Sequence, residues 1–387
     1  MNVLKRLLAI ILAISLVIPV FSSLGCESSA PKTAKDYNNR GIVYAYKGQY
    51  DLAIADYSKA IKLDPQYALT YYNRGITYCD KGQYDLAIAD YSKAIELDPQ
   101  FVLAYNNRGI AYTHKGQYDL AIADCSKAIE LEPEDAEAYY NRGIVYDDKG
   151  QYDLAIADYS KAIELDPQYA FAYNNRGITY THKGQYDLAI ADCSKAIELD
   201  PEDAFAYNNR GMAYAYKGQY DLAIADYSKA IKLDPQYALA YYNRGTTYAY
   251  KGQYDLAIAD YSKAIELDPQ YAAAYNNRGN VYDDKGQYDL AIADYSKAIM
   301  LEPEDAFAYF NRGNTYAHKG QYDLAIADYS KAIELDPQYA SAYFNRGNTY
   351  AHKGQYDLAI ADYNKVLQLT TDTELIQWTK ERLASLE

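Results

Sequence analysis

An all-α solenoid of ten 34-residue helix-turn-helix repeats, closed by a C-terminal capping helix, is what this sequence predicts. Three observations carry the prediction. The ten-residue string Lys-Gly-Gln-Tyr-Asp-Leu-Ala-Ile-Ala-Asp begins at Lys47 and returns unchanged every 34 residues, from Lys81 to Lys353. The chain holds 49 Tyr against 7 Phe and 1 Trp, a bias that one short unit copied many times produces. Within each unit, two stretches of helical apolar spacing are separated by a glycine and closed by a proline.

The first repeat runs from Ala34 to Tyr67, and positions 1–34 are counted from its start. Tyr37, Gly41 and Tyr44 fall at i, i+4 and i+7, one face of a first helix. Lys47-Gly48-Gln49 is the break, since glycine takes positive φ at no steric cost. Leu52, Ala53, Ala60, Ile61 and Leu63, with Tyr57 between them, mark a second helix. Pro65 ends it, because the residue before proline avoids helical angles. Gly41 and Ala53 are small enough for the two helices to approach closely. One such hairpin cannot cover its own apolar faces, so neighbouring repeats must stack. The ten repeats occupy residues 34–373, and 374–387 reads as the capping helix. Leu375, Trp378, Leu383 and Leu386 lie on one side of it, and Thr371 with Glu374 forms a capping-box pattern.

Read together, Tyr37-x-x-Arg40-Gly41-x-x-Tyr44, Ala53-x-x-x-Tyr57 and Pro65 resemble the tetratricopeptide pattern W-x₂-L-G-x₂-Y…A-x₃-F…P. The resemblance covers nearly the whole chain after residue 33 and implies a right-handed superhelix. Tyrosine replaces the pattern's Trp and Phe. Arginine replaces its leucine at position 7 in every repeat, and an aspartate stands at position 23 in every repeat. Antiparallel helices joined near positions 15–16 set position 7 opposite 23–24, so Arg40 should reach Asp56. The alternative is an arginine that snorkels over apolar surface.

Ahead of the repeats, Lys5 and Arg6 precede an apolar run from Leu7 to Phe21 and then Ser22-Ser23-Leu24-Gly25-Cys26. Residues 1–25 read as a secretory signal and 26–33 as a polar tether. Leu24-Gly25-Cys26 resembles the end of a bacterial lipobox, which implies lipidation at Cys26, although Ser23 stands where such signals favour leucine. Cleavage near Gly25 or after Ala30 without lipid, and an uncleaved anchor, are the alternatives. The expected location is the extracytoplasmic face of a bacterial membrane, held by lipid.

A formal net charge of −15 leaves no basic stripe to displace counterions, which excludes a nucleic-acid partner and disfavours charge-driven binding of the chain to anionic membranes. The cysteines are not a disulfide framework: Cys79 lies late in a first helix, while Cys125 and Cys193 hold equivalent places two repeats apart, farther than a disulfide spans. The sequence has no HExxH, CxxC, G-x-S-x-G or phosphate-cradling loop. Its aspartates recur with the repeat, as in a scaffold, so neither an enzyme nor a cofactor is expected.

The copies differ chiefly at positions 2, 5, 9, 12 and 13, which in tetratricopeptide proteins line the inner face of the superhelix. Position 2 supplies Leu69, Leu103, Phe171, Phe205, Leu239 and Phe307. Position 5 supplies Tyr72, Tyr140, Tyr242, Phe310 and Phe344, and is otherwise asparagine. All four histidines, His114, His182, His318 and His352, share position 13, where Asp80 and Asp148 alternate with the first two. One helix spacing separates successive histidines, with no i, i+4 pair, so no metal is expected. The variation reads as a partner groove tailored after duplication, or as drift at permissive sites. The predicted function is a non-catalytic scaffold that binds a protein or peptide segment in its concave groove, outside the cytoplasmic membrane. That partner should be neutral or basic with apolar anchors. The alternative is an accessory factor for export or assembly of a surface polysaccharide or envelope complex.

Overall fold

The computed structural model describes residues 32–386, so the signal, most of the tether and Cys26 lie outside the described residues. Twenty-one helices and no strand are found among those described. Each repeat contributes a first helix of 13 residues and a second of 14, from α1 (Ala34–Tyr46) and α2 (Tyr50–Leu63) to α19 (Ala340–His352) and α20 (Tyr356–Leu369). The last helix is α21 (Thr373–Ala384). No described helix is long and apolar enough to cross a membrane. Contacts divide the chain into two compact bodies, one ending at Asp124 and the other beginning at Cys125, and each is described by itself.

The turn within a repeat rests on its glycine. Gly48 has φ 70, which lets its N–H reach the Ala45 carbonyl at 2.9 Å while the Gln49 N–H reaches that of Tyr44 at 2.9 Å. Both satisfy carbonyls that a helix end would otherwise leave open. The second helix stops at Leu63, and past Pro65 the Gln66 N–H donates to the Asp64 carboxylate at 3.0 Å.

Small residues and one large ring make the core. Ala53 and Ala60 are fully buried, and Tyr57 between them is 1% exposed. A Cβ added at Gly41 would lie 2.6 Å from the Tyr57 ring, so the ring occupies the space that position 8 leaves vacant. This contact is loosest in the seventh repeat. At Gly143 an added Cβ would meet the Tyr159 ring at 2.7 Å, but at Gly245 the nearest atom lies 3.1 Å away. Alanine in place of helical glycine gains about 1 kcal/mol of propensity, whereas overpacking costs about 1–3 kcal/mol. Gly143→Ala should therefore destabilise the protein and Gly245→Ala should leave it nearly unchanged. Thermal unfolding of the two variants checks this, and equal shifts would show that the rings yield freely.

Two expectations are corrected. Leu52 and Leu63 are 49% and 55% exposed, because the alanines and the tyrosine already fill the helix interface. The cap of α21 is Asp372, not Thr371. Its carboxylate accepts from the N–H groups of Glu374 at 2.9 Å and Leu375 at 3.2 Å, since the helix begins one residue later than a Thr371 cap requires. Leu375 and Thr379, at i and i+4, are the buried face of α21, and Trp378 is 52% exposed at its edge.

Candidate functional site

The repeated arginine is structural. In the fifth repeat, Arg176 grips Asp192 through Nε at 2.7 Å and Nη2 at 2.8 Å, while Nη1 donates to Ser160 Oγ of the preceding repeat at 2.8 Å. The rings of Tyr173 and Tyr180, three residues before and four after it on the same helix, lie 5.8 and 5.9 Å from its Cζ. Burial disfavours the charged guanidinium, but the hydrogen bond and charge of Asp192 outweigh it and raise its pKa. The same two-pronged pair forms in the other repeats, for example Arg40–Asp56 and Arg346–Asp362. The pairing expectation holds, and these charges are not available to a ligand.

Position 5 has a different role from the one expected. Tyr72 and Tyr140 are 5% and 3% exposed, packed against the buried rings of Tyr91 and Tyr159 at 5.9 Å. Their hydroxyls accept from the asparagine at position 6 of the next repeat, Asn107 and Asn175, at 2.9 Å. Asparagine at position 5 serves as well, as where Asn209 donates to Asn174 at 3.0 Å and Asn243 to Asn208 at 3.0 Å. Tyr242 accepts from Asn277 at 2.9 Å. Phe310 offers no acceptor, and Asn345 turns instead to Asn314 at 2.8 Å. Half-buried Phe344 closes the series against the Tyr363 ring. Tyrosine and asparagine are thus alternative acceptors in an inter-repeat ladder. Position 9 behaves alike late in the chain, where Asn280, Asn314 and Asn348 each accept from a buried tyrosine hydroxyl at 2.8 Å.

Position 2 keeps its exposure. In the first body Leu69 and Leu103 are 39% and 49% exposed; in the second, Phe205 and Phe307 are 39% and 62% exposed, with Phe171 and Leu239 half-buried. Sequence reasoning missed the residue that supports them, at position 34. The Tyr237 ring lies 4.9 Å from Phe205, Tyr339 lies 5.2 Å from Phe307, and Tyr169 meets Phe171 edge-on at 6.5 Å. The signal was present in the sequence: the first nine repeats end either Pro-Gln-Tyr/Phe or Pro-Glu-Asp. The aspartates of the second kind cap the next helix, as Asp203 does by accepting from the Phe205 N–H at 2.8 Å.

The histidines sit elsewhere. Eleven residues at about 1.5 Å rise separate positions 2 and 13, so they lie about 16 Å apart along the helix. Each position-13 ring after Tyr46 packs on the tyrosine that opens the preceding repeat's second helix. His114 stacks on Tyr84 at 4.4 Å, His352 on Tyr322 at 5.8 Å and Tyr216 on Tyr186 at 5.7 Å. Burial lowers the His114 pKa and so favours its neutral form. The carboxylates beside His182 and His318 are Asp147 at 4.0 Å and Asp283 at 3.3 Å, one residue before Asp148 and Asp284, so the expected alternation through Asp148 is corrected to position 12. Asp148 itself is exposed. No cluster of three or more His, Cys, Asp or Glu suited to a metal occurs among the described residues. Burial raises the Cys79 thiol to about 11 and pushes Cys193 up as well, which leaves neither a nucleophile.

Models of the TPR repeat match residues 41–78, 77–115, 211–249, 245–283, 279–320 and 313–354, and models described as tetratricopeptide repeat match 102–135, 136–169, 170–203, 193–225 and 340–369. A comparison with curated proteins gives no match. Among solved structures, a tetratricopeptide repeat protein from Parabacteroides merdae is similar at 20% identity over 64% of this chain and 98% of that one, with a TM-score of 0.53. Human IFIT1, solved with m7Gppp-AAAA, is similar at 17% identity over 89% of this chain and 92% of that one, also at 0.53. YrrB, described as a TPR protein with an unusual peptide-binding site, is 30% identical over 48% of this chain and 95% of that one, with a TM-score of 0.39.

Proposed function

The chain belongs to the tetratricopeptide repeat family, and we propose that this protein–protein interaction scaffold holds a partner segment along the concave face formed by its first helices, outside the cytoplasmic membrane. The row of exposed position-2 side chains, propped by position-34 rings, carries the reading. Rigid aromatic anchors that stay exposed while their neighbours are packed suit a binding surface, because a few such contacts dominate most interfaces. In the second body Tyr140 packs against the position-34 ring of Tyr169, and Phe171, Phe205, Leu239 and Phe307 meet the partner. The net charge of −15 favours neutral or basic segments. Residues 1–25 supply the export signal and Cys26 the lipid anchor of this proposal.

Phe205→Ala with Phe307→Ala should weaken binding to a panel of extended peptides with apolar anchors by about tenfold or more. The control is Lys161→Ala with Glu164→Ala, which removes an exposed ion pair of 2.7 Å on a second helix. Titration calorimetry with neutral, basic and acidic peptides reads the effect. Binding lost in the control and kept in the phenylalanine variant would reject the groove. Retention of a polysaccharide in place of any peptide would favour the polymer-assembly reading.

A further inference from the structure

The first repeat exposes more of one face of its first helix than later repeats do, most sharply at position 10. Val43 is 49% exposed, whereas its equivalents Thr77, Val145 and Val281 are 1%, 2% and 3% exposed. Ile42 is 44% exposed where Ile76 and Ile144 are half-buried, and Tyr46 is 86% exposed against 74% for Tyr250, which stacks on Tyr220, while Tyr46 has no such ring among the described residues. In the later repeats the second helix of the preceding repeat covers this face. The polar groups of the first repeat show the same change. Arg40 is 38% exposed where Arg74 is 18%, and Arg40 grips no serine of a preceding repeat among the described residues. Lys81 and Lys217 bridge back to Asp51 and Asp187 of the preceding repeat at 2.5 Å, but Lys47 has no such aspartate among the described residues.

The charge of this face also departs from the rest. Lys35, Ile42, Val43 and Tyr46 lie at i, i+7, i+8 and i+11 of α1, on one side of the helix, with Lys32 and Lys47 at its two ends. Asp36 is the one carboxylate in residues 32–47, and it is engaged in the helix cap with Thr33. A basic, apolar, tyrosine-bearing face therefore stands at the start of a chain whose net charge is −15.

We propose that this end face of α1 docks on an anionic phospholipid surface. Lysines flanking an apolar stripe with an aromatic at its edge match an interfacial helix, whose apolar side enters the headgroup boundary while its cations meet lipid phosphates. The acidity that disfavours membrane binding by the chain as a whole acts weakly here, because charges more than about 8 Å away are screened at physiological ionic strength. The proposal goes beyond the groove reading and does not need lipid at Cys26. An anchor there would only raise the local concentration of the face at the membrane.

The test uses the full chain, purified with its native N-terminus, carrying Trp378→Phe and a single probe, Tyr46→Trp. Vesicles contain brominated phosphatidylcholine with or without phosphatidylglycerol. Fluorescence of the probe should fall about twofold on phosphatidylglycerol-containing vesicles, since an interfacial ring lies within reach of the bromines. The same probe placed by Tyr250→Trp should not respond. Lys35→Glu with Lys47→Glu, and separately Ile42→Ser with Val43→Ser, should abolish the quenching while circular dichroism stays unchanged. A Tyr46→Trp probe that is silent, or quenched no more than the Tyr250→Trp probe, overturns the proposal even if the protein floats with the vesicles. Flotation of Cys26→Ser against the parent tests the anchor separately, so the two ideas can fail independently. Lipid-free dimers broken up by Ile42→Ser with Val43→Ser would overturn it in favour of a second copy on this face.

Discussion

Replacing Arg176 by leucine should cost about 2–4 kcal/mol, although leucine is the residue that the family pattern places there. Removing one partner of a buried ion pair costs about 3–5 kcal/mol because the other charge is stranded. Arg176 keeps 17% of its side chain exposed and Asp192 keeps 11%, so water relieves part of that penalty. The loss of contact with the Tyr173 and Tyr180 rings adds to the cost, by about 0.5–1 kcal/mol at a partly exposed site. Ser160 loses little, since its hydroxyl already donates to the Ile156 carbonyl at 2.6 Å. Replacing Asp192 by leucine as well removes the stranded carboxylate. The double variant should recover stability, with a coupling of about 0.5–3 kcal/mol. Repeat arrays unfold in parts rather than as one unit, so the useful measurement is hydrogen exchange in α9 (Ala170–His182) and α10 (Tyr186–Leu199). Additive effects there would mean that the arginine only packs.

Tyr159→Ala should cost about 3–5 kcal/mol, the range for emptying a buried aromatic site. Tyr159 is 1% exposed and fills the space against Gly143, so no water compensates for the lost ring. The chain already carries a smaller side chain at this position. Cys125 and Cys193 replace the tyrosine in two repeats; Ile178 beside Cys193 is 4% exposed, but Ile110 beside Cys125 is half-buried, as Ile76 and Ile144 are beside tyrosines. Tyr250→Ala is the comparison. Its ring is 74% exposed and stacks on Tyr220, so the loss should stay below about 1 kcal/mol. Urea denaturation of the two variants should separate them clearly, and equal losses would show that the core does not depend on the tyrosine ring.

The repeat, its two helices and the Arg–Asp pair were legible because each depends on spacing within one 34-residue unit. What the sequence hid depends on the register between units. Tyr72 and Tyr140 look like groove residues until Asn107 and Asn175 are seen to come from the next repeat, 35 residues on. Their alternation with asparagine then has a chemical reason, an acceptor oxygen, which hydrophobicity alone does not reveal. His182 was placed beside Asp148 by counting along equal positions, but the offset between adjacent helices brings Asp147 to it. Helix ends were uncertain for a local reason. Thr371 and Asp372 both suit a cap, and only the start of α21 at Thr373 selects the second.

The asparagine ladder gives successive repeats a plug and a socket of constant kind. At most junctions the plug is the amide at position 6 and the socket is an oxygen at position 5, whether tyrosine or asparagine bears it; the Asn141 amide makes no such bond. Recombination between two copies of the gene, out of step by whole repeats, joins a plug to a socket that already fits it. Chains longer or shorter by one repeat can thus fold without new adaptation at the junction. A phenylalanine such as Phe310 is a worn socket, usable only because Asn314 offers a second oxygen nearby. For a lineage carrying this gene, the length of the scaffold, and with it the length of partner it can hold, is open to change in single steps.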